Sequence, residues 1–368
     1  MIWDRYKFNL VTQRFLEKRW ETAIGQRVRN EVLSGLKNSV EVRAILDPYV
    51  LDHPENVEPY SHPYYPKDAM GADDFWVLTQ DDLRGINFYN EDFTGSPSFE
   101  KKQLTYSSFY NCNLSKVNLE RTDLSFARLE KCNLDDAVFA YSGGFSTRLI
   151  NCSAKRSVMW TCGFRDCDFS GTDFSGTYFE DVVLEDLKVD YLTKFDLHLP
   201  ERWNTRTLPR SQKPDVLRAI RLAYERAEIW SSMDRFLATE KAEERKEILW
   251  PRLVNARSLE NAMAWFGSLV SGWSSGYATA PGRVLMLSVL TALAYTGAYI
   301  TLGMPDKNID AMQALYFSLT TFVSLGDGNI IYGSGRPYMR LLTTTEAWLG
   351  VVLISLFVVV LARRLFRR

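Results

Sequence analysis

Residues 324–329 read Ser-Leu-Gly-Asp-Gly-Asn, and two glycines bracketing an aspartate are the part of this chain best suited to chemistry with ions. Gly326 and Gly328 accept positive φ at no steric cost, so successive backbone carbonyls there can turn to one side. Carbonyl and carboxylate oxygens are hard ligands, matched to hard cations. In isolation the same Asp-Gly pair reads as an outward type I′ turn joining two helices. The surroundings decide between these readings. The preceding ALYFSLTTF, residues 314–322, follows Asp310, a candidate N-cap, and is an apolar helix too short to cross a bilayer. Long apolar segments flank it: 284–304 carries no charge, and 341–362 is interrupted only by Glu346. At 1.5 Å per residue the first just covers a hydrocarbon core of about 30 Å. Irregular backbone at that depth persists only where protein encloses it or where it lines a water-filled path.

Other chemistry finds little support. There is no Walker, GxGxxG or HExxH pattern, so an enzyme is not expected and no cofactor is implied. His53, His62 and His198 are isolated from one another and from cysteine, as surface histidines are. A net charge of −1, with 24% charged and 46% hydrophobic residues, argues against both disorder and a nucleic-acid partner. Cys112, Cys132, Cys152, Cys162 and Cys167 contain no CxxC pair, and all their separations are multiples of five.

The cysteines follow a ruler that governs the middle of the chain. A bulky apolar residue recurs every fifth position, as at Leu104, Phe109, Leu114, Leu119 and Leu124, and again from Phe164 to Leu184. Two positions before each stands a small residue, the five cysteines among them, which marks them as buried packers. Leu83, Phe88 and Phe93 extend the ruler upstream, with a one-residue slip near Phe99. Its register weakens at Gly144, Ala154 and Met159, where a loop or irregular side is expected. A period of five fits neither helix nor strand; it needs a chain that turns a corner every five residues. In CNLSK, TDLSF, CNLDD, CDFSG and TDFSG the chain resembles the pentapeptide-repeat family. The resemblance implies a right-handed quadrilateral β-helix, about four turns long between Leu104 and Leu184, or a rod of roughly 20 Å. Some members of that family are acidic mimics of DNA. Here Arg121, Arg128, Lys131, Arg148, Lys155, Arg156 and Arg165 interrupt any negative stripe.

Arg252, Arg257 and Arg283 precede the first apolar segment, and the second ends in RRLFRR, which places both ends of the pair in the cytoplasm. The charged opening MIWDRYKFNLVTQRF agrees, since it lacks the apolar stretch of a secretory signal. The arginine tail reads as an anchor to lipid headgroups. Span, half-helix, glycine turn and span are the parts of a tetrameric pore, and ALYFS followed by SLGDGN resembles the two-span potassium-channel superfamily. Within it the match is to the non-selective, sodium- and potassium-conducting type, whose filter reads TVGDGN where selective members have TVGYGD. The resemblance implies a selectivity filter of Ser324, Leu325, Gly326, Asp327, Gly328 and Asn329, with stacked carbonyls replacing the ion's water. Asp327 replaces an aromatic residue, which implies a looser upper filter, weak discrimination between sodium and potassium, and calcium binding at the outer mouth. Ser324 and Leu325 depart from the usual threonine and valine. Gly350 is a candidate gating hinge or a packing glycine, and Glu346 a candidate support for the pore helix.

The expected organisation is an N-terminal helical and loop region (1–75), a repeat β-helix (76–192), a cytoplasmic helical linker (193–258), an interfacial helix (259–280) and a two-span pore domain (281–368). Its spans are 284–304 and 341–362, with pore helix and filter at 310–329. The expected protein is a homotetrameric, multi-pass cation channel of a cell inner membrane. It contacts membrane lipids, and an unknown cytoplasmic protein or ligand acts on its repeat domain. The alternative is a membrane-anchored repeat scaffold without conduction.

Overall fold

A computed structural model describes residues 16–38, 42–50, 75–96, 99–198, 213–252, 267–273, 276–277, 280–302, 310–323 and 337–366. The chain divides into two units, Met1–Phe236 and Leu237–Arg368.

The first unit opens with helices α1 (Ala23–Asn38) and α2 (Val42–Leu46). Eleven short strands follow: β1 (Asn87–Tyr89), β2 (Ser108–Tyr110), β3 (Arg128–Glu130), β4 (Val138–Ala140), β5 (Gly143–Phe145), β6 (Arg148–Ile150), β7 (Val158–Trp160), β8 (Gly163–Arg165), β9 (Asp173–Glu180), β10 (Val183–Glu185) and β11 (Lys194–His198). Every pairing is parallel, and the strands stack as β1-β2-β3-β6, β5-β8-β10 and β4-β7-β9-β11. A column of single bridges through Asp92, Asn113, Asn133, Ser153 and Asp173 makes the fourth side. The result is a four-sided β-solenoid of about five turns.

The five-residue ruler has a backbone cause. Corner residues take left-handed φ at every fifth position, from Lys116 (60°) through Arg121 (55°), Phe126 (59°) and Lys131 (55°) onward. Where Asp or Asn precedes the inward Leu or Phe, its side-chain oxygen accepts the N–H two residues on. Asn113 to Ser115 (3.2 Å), Asp123 to Ser125 (2.9 Å) and Asp173 to Ser175 (3.0 Å) are examples. The small residues face inward and tie turn to turn: Thr147 donates to the Leu124 carbonyl (2.8 Å) and Cys162 Sγ to that of Phe139 (3.1 Å). All five cysteines are free and buried. Burial pushes the Cys162 thiol up to about 11 and that of Cys167 up to about 12, which keeps both protonated and inert.

Pairing partners lie 21 residues apart at Asn87/Ser108 and 20 apart at Ser108/Arg128, so the single extra residue of the sequence ruler sits in the first complete turn. The irregular side expected at Gly144, Ala154 and Met159 is absent. Gly144 pairs with Phe164 inside β5, while Ala154 and Met159 are buried in register. Only side-chain size changes there: a Cβ on Gly144 would lie 1.9 Å from Thr147 Oγ1, so the site holds nothing larger than glycine.

An open solenoid end exposes unpaired strand edges and core rings, and both ends are covered. At the N-terminal end Arg19, fully buried, grips Asp82 at 2.9 and 3.1 Å and the Arg84 carbonyl at 2.8 Å. Arg84 holds the same carboxylate through two bonds of 2.8 Å. At the other end stand α3 (Lys213–Arg226) and the first turns of α4 (Trp230–Arg252). Tyr224 donates to the Thr193 carbonyl (2.7 Å), and Phe195 stacks on Phe174 with centroids 5.0 Å apart.

Burial opposes ionisation of Asp82, but the guanidinium groups of Arg19 and Arg84 outweigh it and hold its pKa well below the carboxylate range. An unfolded Asp titrates near 3.9, so this stabilisation is complete above about pH 4 and drains away as pH falls toward the depressed native value. Asp82→Asn is expected to strip hydrogen-exchange protection from α1 at pH 7. Breaking a buried pair of this kind costs about 3–5 kcal/mol. Unchanged protection in the variant would remove the pair from its capping role.

The second unit contains α5 (Pro281–Leu302), α6 (Ala311–Phe322) and α7 (Pro337–Leu365). Within α5 and α7, Pro281–Thr301 and Arg340–Arg363 are long and apolar enough to cross a membrane. Most of their side chains face outward, with Leu285, Val289, Leu293, Val352 and Val359 all about half exposed. That is the opposite of a soluble core helix and the ordinary state of a lipid-facing one.

Candidate functional site

The filter residues Ser324, Leu325, Gly326, Asp327, Gly328 and Asn329 lie outside the described residues; the frame that leads into them does not. α6 is 12 residues long, about 18 Å, too short to span and without a charged residue. Asp310 takes the N-cap position with extended backbone (φ −64°, ψ 145°). Its carbonyl accepts the N–H of Gln313 (3.0 Å) and Ala314 (3.1 Å), while its side chain makes no capping bond. The C-terminal end stops one residue before Ser324, with Val323 N–H on the Leu319 carbonyl at 3.1 Å. A helix C-terminus carries roughly half a negative charge, so α6 offers a cation-attracting end at the start of the glycine stretch.

Glu346 on α7 is fully buried and binds all three helices into one frame. Tyr299 of α5 donates to its Oε2 at 2.5 Å. Ser318 of α6 lies 2.5 Å from its Oε1 and 2.9 Å from the Ala292 carbonyl of α5, with one hydroxyl hydrogen to give. Tyr299 also packs edge-on against Phe317 of α6 at 5.1 Å, in a cluster with Ala314, Tyr295 and Leu342. A second cluster joins Val284, Phe322, Leu353 and Val360. Between them lies Gly350, where a Cβ would stand 1.9 Å from the Phe322 carbonyl oxygen. The C-terminal end of α6 therefore rests directly on α7 backbone, a close approach that accounts for the glycine. Tyr299 and Ser318 were not among the residues singled out from sequence. Their hydroxyls meet Glu346 across separations of 47 and 28 residues, which no local pattern encodes.

One face of α6 is left bare in a single chain. Met312, Tyr316, Leu319 and Val323, spaced as one helical stripe, are 71%, 66%, 47% and 51% exposed. Nearby in sequence, the Thr321 hydroxyl is buried with no hydrogen-bond partner among the described residues. On the solenoid, Tyr141 and Trp160 form an exposed aromatic pair 5.0 Å apart. Its charges are locally balanced, as in Arg156–Asp136 (2.9 Å) and Lys188–Asp168 (2.9 Å).

Comparison with known families matches both halves of this architecture. Residues 285–367 match the family model described as ion channel, and residues 103–139 and 146–186 match pentapeptide repeats in eight copies. The chain thus joins an ion-channel domain to a pentapeptide-repeat solenoid and is a membrane protein; neither family is one of enzymes. A comparison with curated proteins gives no match. Among solved structures, the pentapeptide repeat protein Rfr23 from the cyanobacterium Cyanothece 51142 is 20% identical. The match covers 31% of this chain and 88% of that one, at a TM-score of 0.26. HetL, a pentapeptide repeat protein involved in heterocyst differentiation regulation from Nostoc sp. strain PCC 7120, is 12% identical over 30% and 71%, at 0.15. QnrB1, a plasmid-mediated fluoroquinolone resistance protein, is 16% identical over 32% and 92%, also at 0.15. At such scores the solenoid rests on its own strand pairing and on the repeat match.

Proposed function

We propose that the protein is a homotetrameric channel for monovalent cations, weakly selective between sodium and potassium. Ser324, Leu325, Gly326, Asp327, Gly328 and Asn329 form its filter, and the repeat domain acts on its gate. The observation that carries this reading is the Glu346 node. A buried carboxylate that fixes a short helix between two membrane-length helices has a purpose if that helix must present its C-terminal end to permeating ions. The exposed stripe of α6 supports assembly, because neighbouring subunits would cover apolar surface that lies too deep for water. In the assembled pore the Thr321 hydroxyl gains acceptors from the filter segment or from a neighbour. Carbonyl oxygens exposed by Gly326 and Gly328 replace the ion's water, and Asp327 gives the outer mouth a carboxylate that also attracts calcium. Both termini face the cytoplasm of a cell inner membrane, in line with the arginines at 363, 364, 367 and 368.

Planar-bilayer recording with sodium opposite potassium tests the reading. Wild type is expected to reverse near zero, and Gly326→Ala to carry no current because alanine resists positive φ. A strongly potassium-shifted reversal would sink the role given to Asp327. Unaltered current in Gly326→Ala would place conduction elsewhere, and a silent, monomeric protein would favour the membrane-anchored scaffold.

A further inference from the structure

The walls of the solenoid differ in outward chemistry. Around the inward Phe139, Met159 and Phe179, strand pairing stacks two outward columns in register. One is Asn118, Val138, Val158 and Tyr178; the other is Glu120, Ala140, Trp160 and Glu180. Two successive levels of this wall are therefore apolar across their width, and Val138 and Trp160 remain 36% and 41% exposed. The opposite wall carries Arg128, Arg148 and Asp168 in one column, and the wall between them carries Asn113, Asn133, Ser153 and Asp173. Corner residues with left-handed φ frame the apolar wall on both sides. Counted from the N-terminal level, one margin reads Lys116, Asp136, Arg156 and Gly176, and the other Arg121, Tyr141, Thr161 and Asp181.

We propose that this wall joins the repeat domains of two subunits, face to face and antiparallel. The charge pattern selects a second copy as occupant, because the wall is complementary to itself turned end over end. A two-fold axis running along the strands, midway between β4 and β7, sets Val138 against the partner subunit's Val158 and Ala140 against the partner subunit's Trp160. Small thus meets large in the middle. The same turn brings Arg121 to the partner subunit's Asp181 at one margin and Asp136 to the partner subunit's Arg156 at the other. Within one chain Arg156 already bonds Asp136 at 2.9 Å, so pairing sets two such pairs side by side as a network of four charges. One meeting is unfavourable, Glu120 with Glu180, and Arg121 lies 3.7 Å from Glu120 to offset it. Four levels of about 4.8 Å make a footprint one wall wide and about 19 Å tall, smaller than the roughly 800 Å² per partner of a stable complex of free proteins. Subunits held in one assembly meet at about millimolar effective concentration, where a small contact closes. The pairing therefore rests on the assembly proposed above, and not on conduction or selectivity.

Crosslinking of full-length protein in detergent with a short bismaleimide tests it. All native thiols are buried, so an introduced one reacts selectively. Val138→Cys is expected to give crosslinked dimers on a denaturing gel, and Arg128→Cys, on the opposite wall, to give none. Arg121→Glu alone and Asp181→Arg alone are each expected to lower the Val138→Cys crosslink about five-fold, the effect of reversing two exposed ion pairs. The two together are expected to restore it, which a misfolded solenoid would not do. Native mass spectrometry of the same samples counts subunits independently. Tetramers without crosslinks would overturn the pairing and leave the channel reading intact, with the wall open to a different protein. Crosslinks in a protein that is only dimeric would keep the pairing and overturn the tetramer; monomers would overturn both. Equal crosslinking from Arg128→Cys, or a double charge variant no better than either single one, would overturn the antiparallel contact.

Discussion

Gly350→Val is expected to dismantle the pore unit. Overpacking a filled interior costs about 1–3 kcal/mol when neighbouring side chains can shift. Here the new Cβ would stand 1.9 Å from the backbone carbonyl of Phe322, and a helix backbone cannot step aside as a side chain can. Relief requires α6 to lift off α7, which separates the cluster of Val284, Phe322, Leu353 and Val360 and displaces the start of the glycine stretch. Size-exclusion chromatography in detergent should show loss of the assembled protein, and bilayers should show no current, with Gly350→Ala intermediate in both. The proposed hinge makes a different forecast: Gly350→Ala would assemble as wild type and change only the open fraction. Normal assembly and conduction in Gly350→Val would dispose of the close approach.

Glu346→Ala should be nearly as damaging by another route. It leaves the Tyr299 hydroxyl in a dry interior without its acceptor, at about 1–3 kcal/mol, while Ser318 keeps the Ala292 carbonyl, and it opens a void among three helices. Glu346→Gln is the informative partner. Its amide oxygen can still accept from Tyr299 and its NH2 can donate to Ser318, whose own hydrogen then goes to the Ala292 carbonyl. The expected order of thermal stability is wild type close to Gln, with Ala well below, and current should follow the same order. If Ala matches wild type in both, the node is incidental to holding α6.

The solenoid was legible because its rule is local: each corner repeats the same backbone state, so the same residue types recur at the same offsets. The misreading at Gly144, Ala154 and Met159 shows the limit. These positions break the pattern of side-chain types while keeping its geometry, and only the stacked neighbours reveal that they remain in register. Both caps were invisible for the opposite reason. Arg19 finds Asp82 across 63 residues, and Tyr224 finds Thr193 across 31. A charged residue destined for full burial looks like any surface arginine until its partner is known. In the pore unit, the spans and α6 could be read from length and apolarity, and Glu346 stood out as an ion in the wrong solvent. The partners that explain it could not be read.

Because each solenoid residue meets its neighbour 20 positions away, the length of this unit is quantised. Excising 20 residues from its middle would remove one storey of about 4.8 Å and leave every later side chain on the wall it already occupies. Excising five would keep the fold but rotate everything beyond the cut by a quarter-turn, carrying Tyr141 and Trp160 to another wall relative to the cap built on Arg19. The tower thus works as an indexing device: its height can change freely in whole storeys, while the compass bearing of any docking surface moves only in steps of ninety degrees.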